Sequence, residues 1–414
     1  MKMLENLKDK FQRHKERVSP LGFQSLLSDS IDYIQPPHWD PIADGASIFL
    51  RRSYLQAIEA CSPENTCQRS AVAFLKGKPV VILACQLAHV TGGQLVPSKP
   101  KKDVLAESYK ERILVCGNLV SSGLHGIAFA SGLDKEQGWR MAAELLYKIR
   151  QSEKLAGMVD FVMIKDIKGA VLRESAITER YSYRRVKTDP DMVLELDKKI
   201  RSFPDYLEAL NTKYRSRVKK VIKTVEEAGY TSDTLKVDAA MDKVLHGLYL
   251  EVENKSATRL ARLPKGYFKE LSDNLGDDFV CRALRNGKDI AGFITVIRDG
   301  DEAIAYYVGF RYEVNEEIPI YFRLLQLVLE TAIEWKCKKV SFGRTALGPK
   351  ADLGAKPVEC HVWVRHRVPV VNWVLRKLFP NVPFEDAPHR SVFREPKEVK
   401  DAKEGKTAKA GAES

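Results

Sequence analysis

Residues 301–364 constrain the fold more than any other stretch. An apolar, β-branched and aromatic run, Ala303-Ile-Ala-Tyr-Tyr-Val-Gly-Phe310, predicts a strand. A turn-like segment follows, Arg311-Tyr-Glu-Val-Asn-Glu-Glu317, then a long helical pattern over 319–336. Ile320, Leu324, Leu327, Val328 and Ala332 recur three and four residues apart, so one face of that helix is apolar. Pro319 stands where a missing N–H is harmless. A short strand, Lys339-Val-Ser-Phe342, leads into Gly343-Arg-Thr345, a loop with Lys350 and Leu353-Gly-Ala355, and another strand over 359–364. Strand, helix and strand in that order make a crossover unit with the helix packed on a sheet. Ligands of open α/β sheets sit beyond strand ends, where helix N-termini also point.

The same order occurs earlier in the chain. Phe49 to Ala60 reads as a helix, and 69–76 and 80–90 as a hairpin around Gly77-Lys-Pro. Residues 91–108 read as an exposed loop with a cation cluster at 99–102. A strand over 112–116 runs into Gly117-Asn-Leu-Val-Ser-Ser-Gly-Leu-His-Gly126, whose glycines permit close backbone approach. A helix with Trp139, Ala142, Ala143, Leu146 and Ile149 on one face follows, then a strand over 158–165. This predicts an internal duplication of architecture rather than of residues.

The flanking segments differ in kind. Residues 1–20 form a basic amphipathic helix candidate, and 20–45, with Pro36-Pro-His-Trp-Asp-Pro41, are expected to be irregular and not helical. Residues 170–200 connect the halves, with a strand over 192–196. From Ser202-Phe-Pro-Asp205 one long helix is expected. Its apolar stripe is Tyr206, Leu210, Tyr214, Val218, Val221, Ile222 and Val225, and six cations stand on its other faces. Asn286-Gly287 marks a tight hairpin between strands at 279–285 and 290–298. Near the end, 365–379 read as a short helix with Trp373, Leu378 and Phe379 among cations, a composition suited to a lipid headgroup boundary. The tail from Arg394 has the composition of disorder.

A net charge of +12 favours an anionic partner: a phosphate-bearing cofactor, nucleic acid or an anionic membrane surface. Seven scattered cysteines without a CxxC pair read as reduced thiols of a cytoplasmic protein, and a structural zinc site is not expected. No segment has the ~20 apolar residues that span a bilayer, and the N-terminus lacks a secretory apolar core. No Walker loop, dinucleotide fingerprint, HExxH or nucleophilic triad is present.

The layout, and especially Phe342-Gly-Arg-Thr345, Lys350 and Leu353-Gly-Ala355, resembles the second domain of the Fem-like and BioF2-like acyltransferases of the GNAT superfamily, which often carry two GNAT-like domains in tandem. Tyr206 with Lys213-Tyr-Arg215 and Val218-Lys-Lys220 is similar to the opening helix of that domain. The resemblance covers about 47–364. It implies an α/β (α+β) fold of two tandem GNAT-like domains, each a mixed twisted sheet flanked by helices. The expected divisions are an arm and loop at 1–45, domains at 46–190 and 191–366, a helix and extension at 367–393, and a tail at 394–414.

That resemblance also implies an acyl-CoA-dependent N-acyltransferase, with acyl-CoA or another acyl thioester as co-substrate, no permanently bound cofactor and no metal. Lipid amines stand among the acceptors, and a peripheral place on the inner face of the cytoplasmic membrane fits them. A Fem-like transferase using aminoacyl-tRNA on a peptidoglycan precursor is the second reading, and a non-catalytic relative in envelope or polysaccharide assembly is the third. Candidates for proton transfer or hydrogen bonding are His361, Glu253, His125 and Tyr307. Glu316 and Glu317 replace the basic, glycine-rich turn of familiar GNAT enzymes and would repel a pyrophosphate there. The nearest cations are then Arg311, Arg323, Arg344 and Lys350. In the first half, Asn118 and Gly123 lie in a loop less hostile to an anion.

Overall fold

The computed structural model describes residues 11–12, 14–15, 18–91, 110–121, 123, 125–255, 260–378, 388 and 390–394. Most of the expected N-terminal amphipathic helix lies outside these residues, and so do the 92–109 loop and the tail after 394.

Among the described residues, thirteen strands form a single sheet. In chain order they are β1 (Gln24–Ser28), β2 (Thr66–Leu75), β3 (Lys78–Thr91), β4 (Lys110–Cys116), β5 (Ile127–Phe129), β6 (Phe161–Lys168), β7 (Arg184–Glu195), β8 (Thr231–Leu235), β9 (Phe279–Asn286), β10 (Asp289–Asp299), β11 (Glu302–Phe310), β12 (Lys339–Ser341) and β13 (Lys356–His366). Their spatial order is β1-β2-β3-β4-β6-β13-β7-β12-β11-β10-β9-β8, with β5 paired to β3. Taken inward from either edge, the sheet repeats itself. β1-β2-β3-β4-β6-β13 matches β8-β9-β10-β11-β12-β7 strand for strand. The only parallel pairs among the described strands are β4 with β6 and β11 with β12, each joined by a crossover helix, Lys135–Ser152 or Ile320–Glu334.

The halves exchange a strand at the centre. β7 leaves the first half to pair with β12, and β13 leaves the second to pair with β6. β7 and β13 then pair with each other, antiparallel. The expected division at 190/191 falls inside β7. The first half's helix Arg52–Ala60 packs on the second half's helix Tyr267–Leu275, and one apolar core holds Tyr54 and Phe49 together with Phe268 and Phe293. Separating the halves would open this core.

Several elements differ from the sequence expectation. The proline-rich stretch is a helix, Pro36–Ala43. Pro36 and Pro37 fill its first two positions, where N–H groups have no partner anyway, so only Pro41 forfeits a helical hydrogen bond. Burial of Trp39, whose Nε1 donates to Leu50 O at 2.7 Å, offsets that loss and pins the segment to the body. β1 is also a strand where none was expected. The connector at 170–200 carries the long strand β7, because its partners β12 and β13 arrive from distant sequence. The single helix expected from 203 is two, Phe203–Ala209 and Thr212–Glu227, broken where Leu210 bridges to Phe393. Gly309, on β11, lets that strand pass close to the helix Ala239–Glu253: a Cβ there would stand 2.6 Å from the backbone of Leu248 and Tyr249.

Candidate active site: a cleft between β11 and β12

β11 and β12 pair over only three residues, Glu302 to Ile304 against Lys339 to Ser341, and then part. The gap is a cleft of 490 Å³. Residues 305–308 of β11 form one wall and Phe342, Gly343, Arg344 and Thr345 the other; Tyr321 and Leu325 of the crossover helix close one side. Leu119, Ser121 and Lys165 of the first half close another.

A bulge shapes the β11 wall. Ile294 faces Val308 and Val296 faces Ala305, so Thr295 stands opposite both Tyr306 and Tyr307. An extra residue breaks side-chain alternation, and the two consecutive tyrosine rings pack edge to face, 5.0 Å apart. Tyr306 OH shares hydrogen bonds with Tyr54 OH at 2.9 Å and Tyr267 OH at 2.7 Å. Tyr307 OH donates to Val120 O at 3.0 Å. Burial pushes both phenols well above their ordinary pKa, so they act as neutral donors.

A set of interlocked charges holds the opposite wall. Asp191, near the end of β7, accepts from Lys168 Nζ at 2.5 Å, Ser341 Oγ at 2.8 Å and Gly343 N at 3.0 Å, tying the ends of β6 and β12 together. Asp166, with φ 56°, accepts from Gly123 N at 2.9 Å and pairs with Arg344. Lys165 Nζ donates to Asn118 O at 2.6 Å and to Ser121 O. It therefore fills the place in the first half, beyond the β4–β6 pairs, that is open in the second.

Lys350 differs from these cations. It sits on the short helix Leu347–Asp352, anchored by the ion pairs of Asp352 with Arg217 and Arg390. Only 2% of the residue is exposed, it lines the cleft, and its Nζ makes no hydrogen bond or ion pair among the described residues. Burial pulls its pKa down to about 8, with Asp191 opposing the shift.

Of the residues expected from sequence, the structure brings Tyr307, Arg344, Lys350, Asn118 and Gly123 to the cleft or its first-half border. Asn118 is structural there: its Nδ2 donates to Tyr54 OH at 3.3 Å. Glu253 stands behind the wall, near Tyr249 and Tyr307. Four others lie elsewhere. His361 sits on β13 beside Arg185, Lys187 and Glu359, and burial lowers its pKa; strand alternation turns it away from Cys360, which faces Lys168 and Arg344. His125 lies against Trp139, with burial lowering its pKa to about 4. Arg311 is paired with Asp289, and Arg323 with Glu330 at 2.6 Å, so neither offers a free charge.

The crossover helix's N-terminus is not open to an anion either. The expected turn at 311–317 is a helix, Tyr312–Glu317, and Asn315 Oδ1 accepts from Tyr321 N at 2.8 Å. A protein side chain takes the place where a pyrophosphate would sit in that mode.

Sequence reasoning missed Asp191, Asp166, Lys168 and Tyr306. The ionic groups Lys165-Asp-Ile-Lys168, ending an apolar strand, were the available signal. Elsewhere, Glu111, Asp160 and His366 bring ligand-type atoms within 4.8 Å. Asp160 of this group is already paired with Arg367 at 2.6 Å, and His366 Nδ1 lies 3.0 Å from Val368 N.

Residues 212–351, which contain the whole cleft wall from β11 to Lys350, match the family model described as "Acetyltransferase (GNAT) domain". This chain carries a GNAT domain. Its fold is α/β, and the first half repeats the strand order of this matched half within one sheet. No curated protein matches the chain. Among solved structures, FemX is similar at 11% identity and a TM-score of 0.49, over 78% of this chain and 93% of FemX. A tandem GNAT protein from the clavulanic acid biosynthesis pathway is similar at 12% identity and 0.49, over 84% and 99%. The L-PGS of Bacillus licheniformis is similar at 11% identity and 0.45, over 78% and 95%. These stand as likenesses only.

Proposed function

We propose that the chain is an N-acyltransferase that joins an acyl group from a thioester to an amine, with the reaction in the β11–β12 cleft. The observation that carries this reading is Lys350, buried and unpartnered on the wall of the one half whose strands part around an open space. The amine nitrogen attacks the thioester carbonyl carbon, a C–N bond forms and the carbonyl oxygen becomes an oxyanion. A lysine cation beside it stabilises that charge, because the ammonium is already held in place by the fold. The C–S bond then breaks. With a pKa of about 8, Lys350 can give its proton to the leaving thiolate and regain one from the new N–H₂⁺. Ile294, Val308, Leu325 and Phe342 offer an apolar wall to an aliphatic acyl chain. Acyl-CoA is the donor under this reading, and amines of membrane lipids are among the acceptors.

A second donor class has one specific observation in its favour. Asn315 fills the place of a pyrophosphate, and Lys213, Lys219 and Lys220 face solvent on the helix Thr212–Glu227 without ion pairs among the described residues. An aminoacyl-tRNA would use such a face.

Thermal melting of the whole protein with CoA, acetyl-CoA and palmitoyl-CoA tests the choice. A ligand at 100 times its Kd stabilises the fold by about 2.7 kcal/mol. The expected result is a larger shift with palmitoyl-CoA than with CoA, below micelle-forming concentrations. No shift with any of them, together with salt-dependent binding of charged tRNA, would replace the thioester donor by the aminoacyl one.

A further inference from the structure

We propose that the rim where β6 begins and β13 ends is a docking surface for an anionic lipid bilayer. The helix Pro369–Leu378 follows β13 directly and is inverted in polarity over 369–374. Its polar Asn372 is buried: Nδ2 donates to Ser182 O at 2.9 Å, and Oδ1 accepts from His366 N at 3.2 Å. The apolar residues described on it face water instead, with Val370 69% and Trp373 55% exposed. A surface helix normally turns its apolar side inward, so this one is built to present that side to something else.

The rim continues into the first half. Arg367 N donates to Asp160 O at 2.8 Å and its Nε to Asp160 Oδ1 at 2.6 Å, which sets the start of the helix beside the turn before β6. That turn exposes Leu155 fully and Met158 by half. Apolar tips from two separate segments thus share one edge.

Cations surround these tips. Burial and the neighbouring Arg365 and Arg367 pull the Arg150 guanidinium pKa down, so three arginines crowd together. Of the acids facing them, Asp160 is taken by Arg367, and Glu153 by Arg69 and Arg112. Arg150, Lys154 and Arg365 form no ion pair among the described residues. Guanidinium groups unmatched by protein carboxylates, set around aliphatic and indole side chains, fit phosphate headgroups above acyl chains. A protein partner would have to supply both chemistries in this order. The surface lies at the opposite end of β6 from Lys168, roughly 23 Å of strand away. Binding can therefore be read without turnover, and this inference does not rest on the transferase reading.

The test is co-sedimentation of the full chain with vesicles of phosphatidylcholine alone and with phosphatidylglycerol added. Binding to the anionic vesicles should be roughly tenfold tighter or more and should fall with salt. L155E/M158E should lose roughly tenfold, because carboxylates would enter the headgroup layer, and R150Q/R365Q should lose a similar factor. Melting midpoints report whether each variant is folded. If R150Q/R365Q does not fold, the fully exposed Leu155 and half-exposed Met158 still decide. Absence of wild-type binding to anionic vesicles overturns the proposal. So does unchanged binding of folded L155E/M158E, or dimerisation through this rim without any vesicle binding.

Discussion

Replacing Lys350 by Met should raise stability while removing activity. The Lys350 side chain is largely buried and its ammonium has no hydrogen-bond acceptor among the described residues, and its pKa falls from 10.5 to about 8. At about 1.4 kcal/mol per pH unit, keeping it protonated in the fold costs about 3 kcal/mol. The folded value lies below the unfolded one, so the unfolded chain binds more protons between about pH 8 and 10.5. Stability of the natural protein therefore rises across that window, and the cost is at its full size below pH 8. Met fits a lysine-shaped space without charge. With an unfolding entropy of about 0.8 kcal/mol/K for a chain of this size, the midpoint should rise by about 4 °C at pH 7. The difference should shrink toward pH 10.5. Turnover should fall by about 10²–10³, the effect of losing one preorganised oxyanion partner. Calorimetry from pH 7 to 10 and a mass-spectrometric assay of amide product give both readouts. A K350M protein that melts lower than the natural one, with a gap that does not change with pH, would refute the reasoning.

Other outcomes follow from the same geometry. Arg344→Ala should destabilise the protein by about 2 kcal/mol, because the buried Asp166 carboxylate then keeps only Lys165, 3.3 Å away, as a cation. Adding Asp166→Asn should recover much of that in urea titrations, whereas equal losses in the single and double variants would show the pair to be unimportant. His125 is held neutral, with its pKa lowered from 6.5 to about 4 by burial. The unfolded chain thus takes up the extra proton as pH falls through 6.5, and stability should drop by about 2 kcal/mol by pH 4, since part of the ring still meets solvent. His125→Phe should flatten that limb of a pH–melting curve. Tyr306→Phe should cost about 2 kcal/mol, because Tyr54 and Tyr267 both lose a partner; a neutral effect would mean water replaces the hydroxyl.

Local pattern carried most of the architecture. The apolar spacing of Ile320 to Ala332, the Asn286-Gly287 turn and the repeated order of strand, helix and strand all depend on near neighbours, and they are seen in the sheet. The strand exchange did not show in sequence. β7 and β13 look like any edge segments until their partners, over 140 residues away, arrive. Lys350 and Arg344 were legible through the Phe342-Gly-Arg-Thr345 stretch, because that stretch is local. Asp191 was not, because its role comes from three groups on β6, β12 and the β12 exit. His361 and His125 failed for a simpler reason. A histidine's chemistry suits base work anywhere, but strand alternation and packing decide which face it meets, and neither faces the cleft. Arg311 and Arg323 failed because Asp289 and Glu330 neutralise them, one across β10 and one two helical turns on.

The most direct measurement of the central claim is amide hydrogen exchange on the whole protein, with and without palmitoyl-CoA below its micelle concentration. The account expects slowed exchange at 305–308 and 342–345, the two walls that part beyond Ile304 and Ser341, and little change at 113–116, the β4 residues paired to β6 in the first half. Slowing confined to the first half, or none in either half at saturating ligand, would contradict a thioester-binding cleft between β11 and β12.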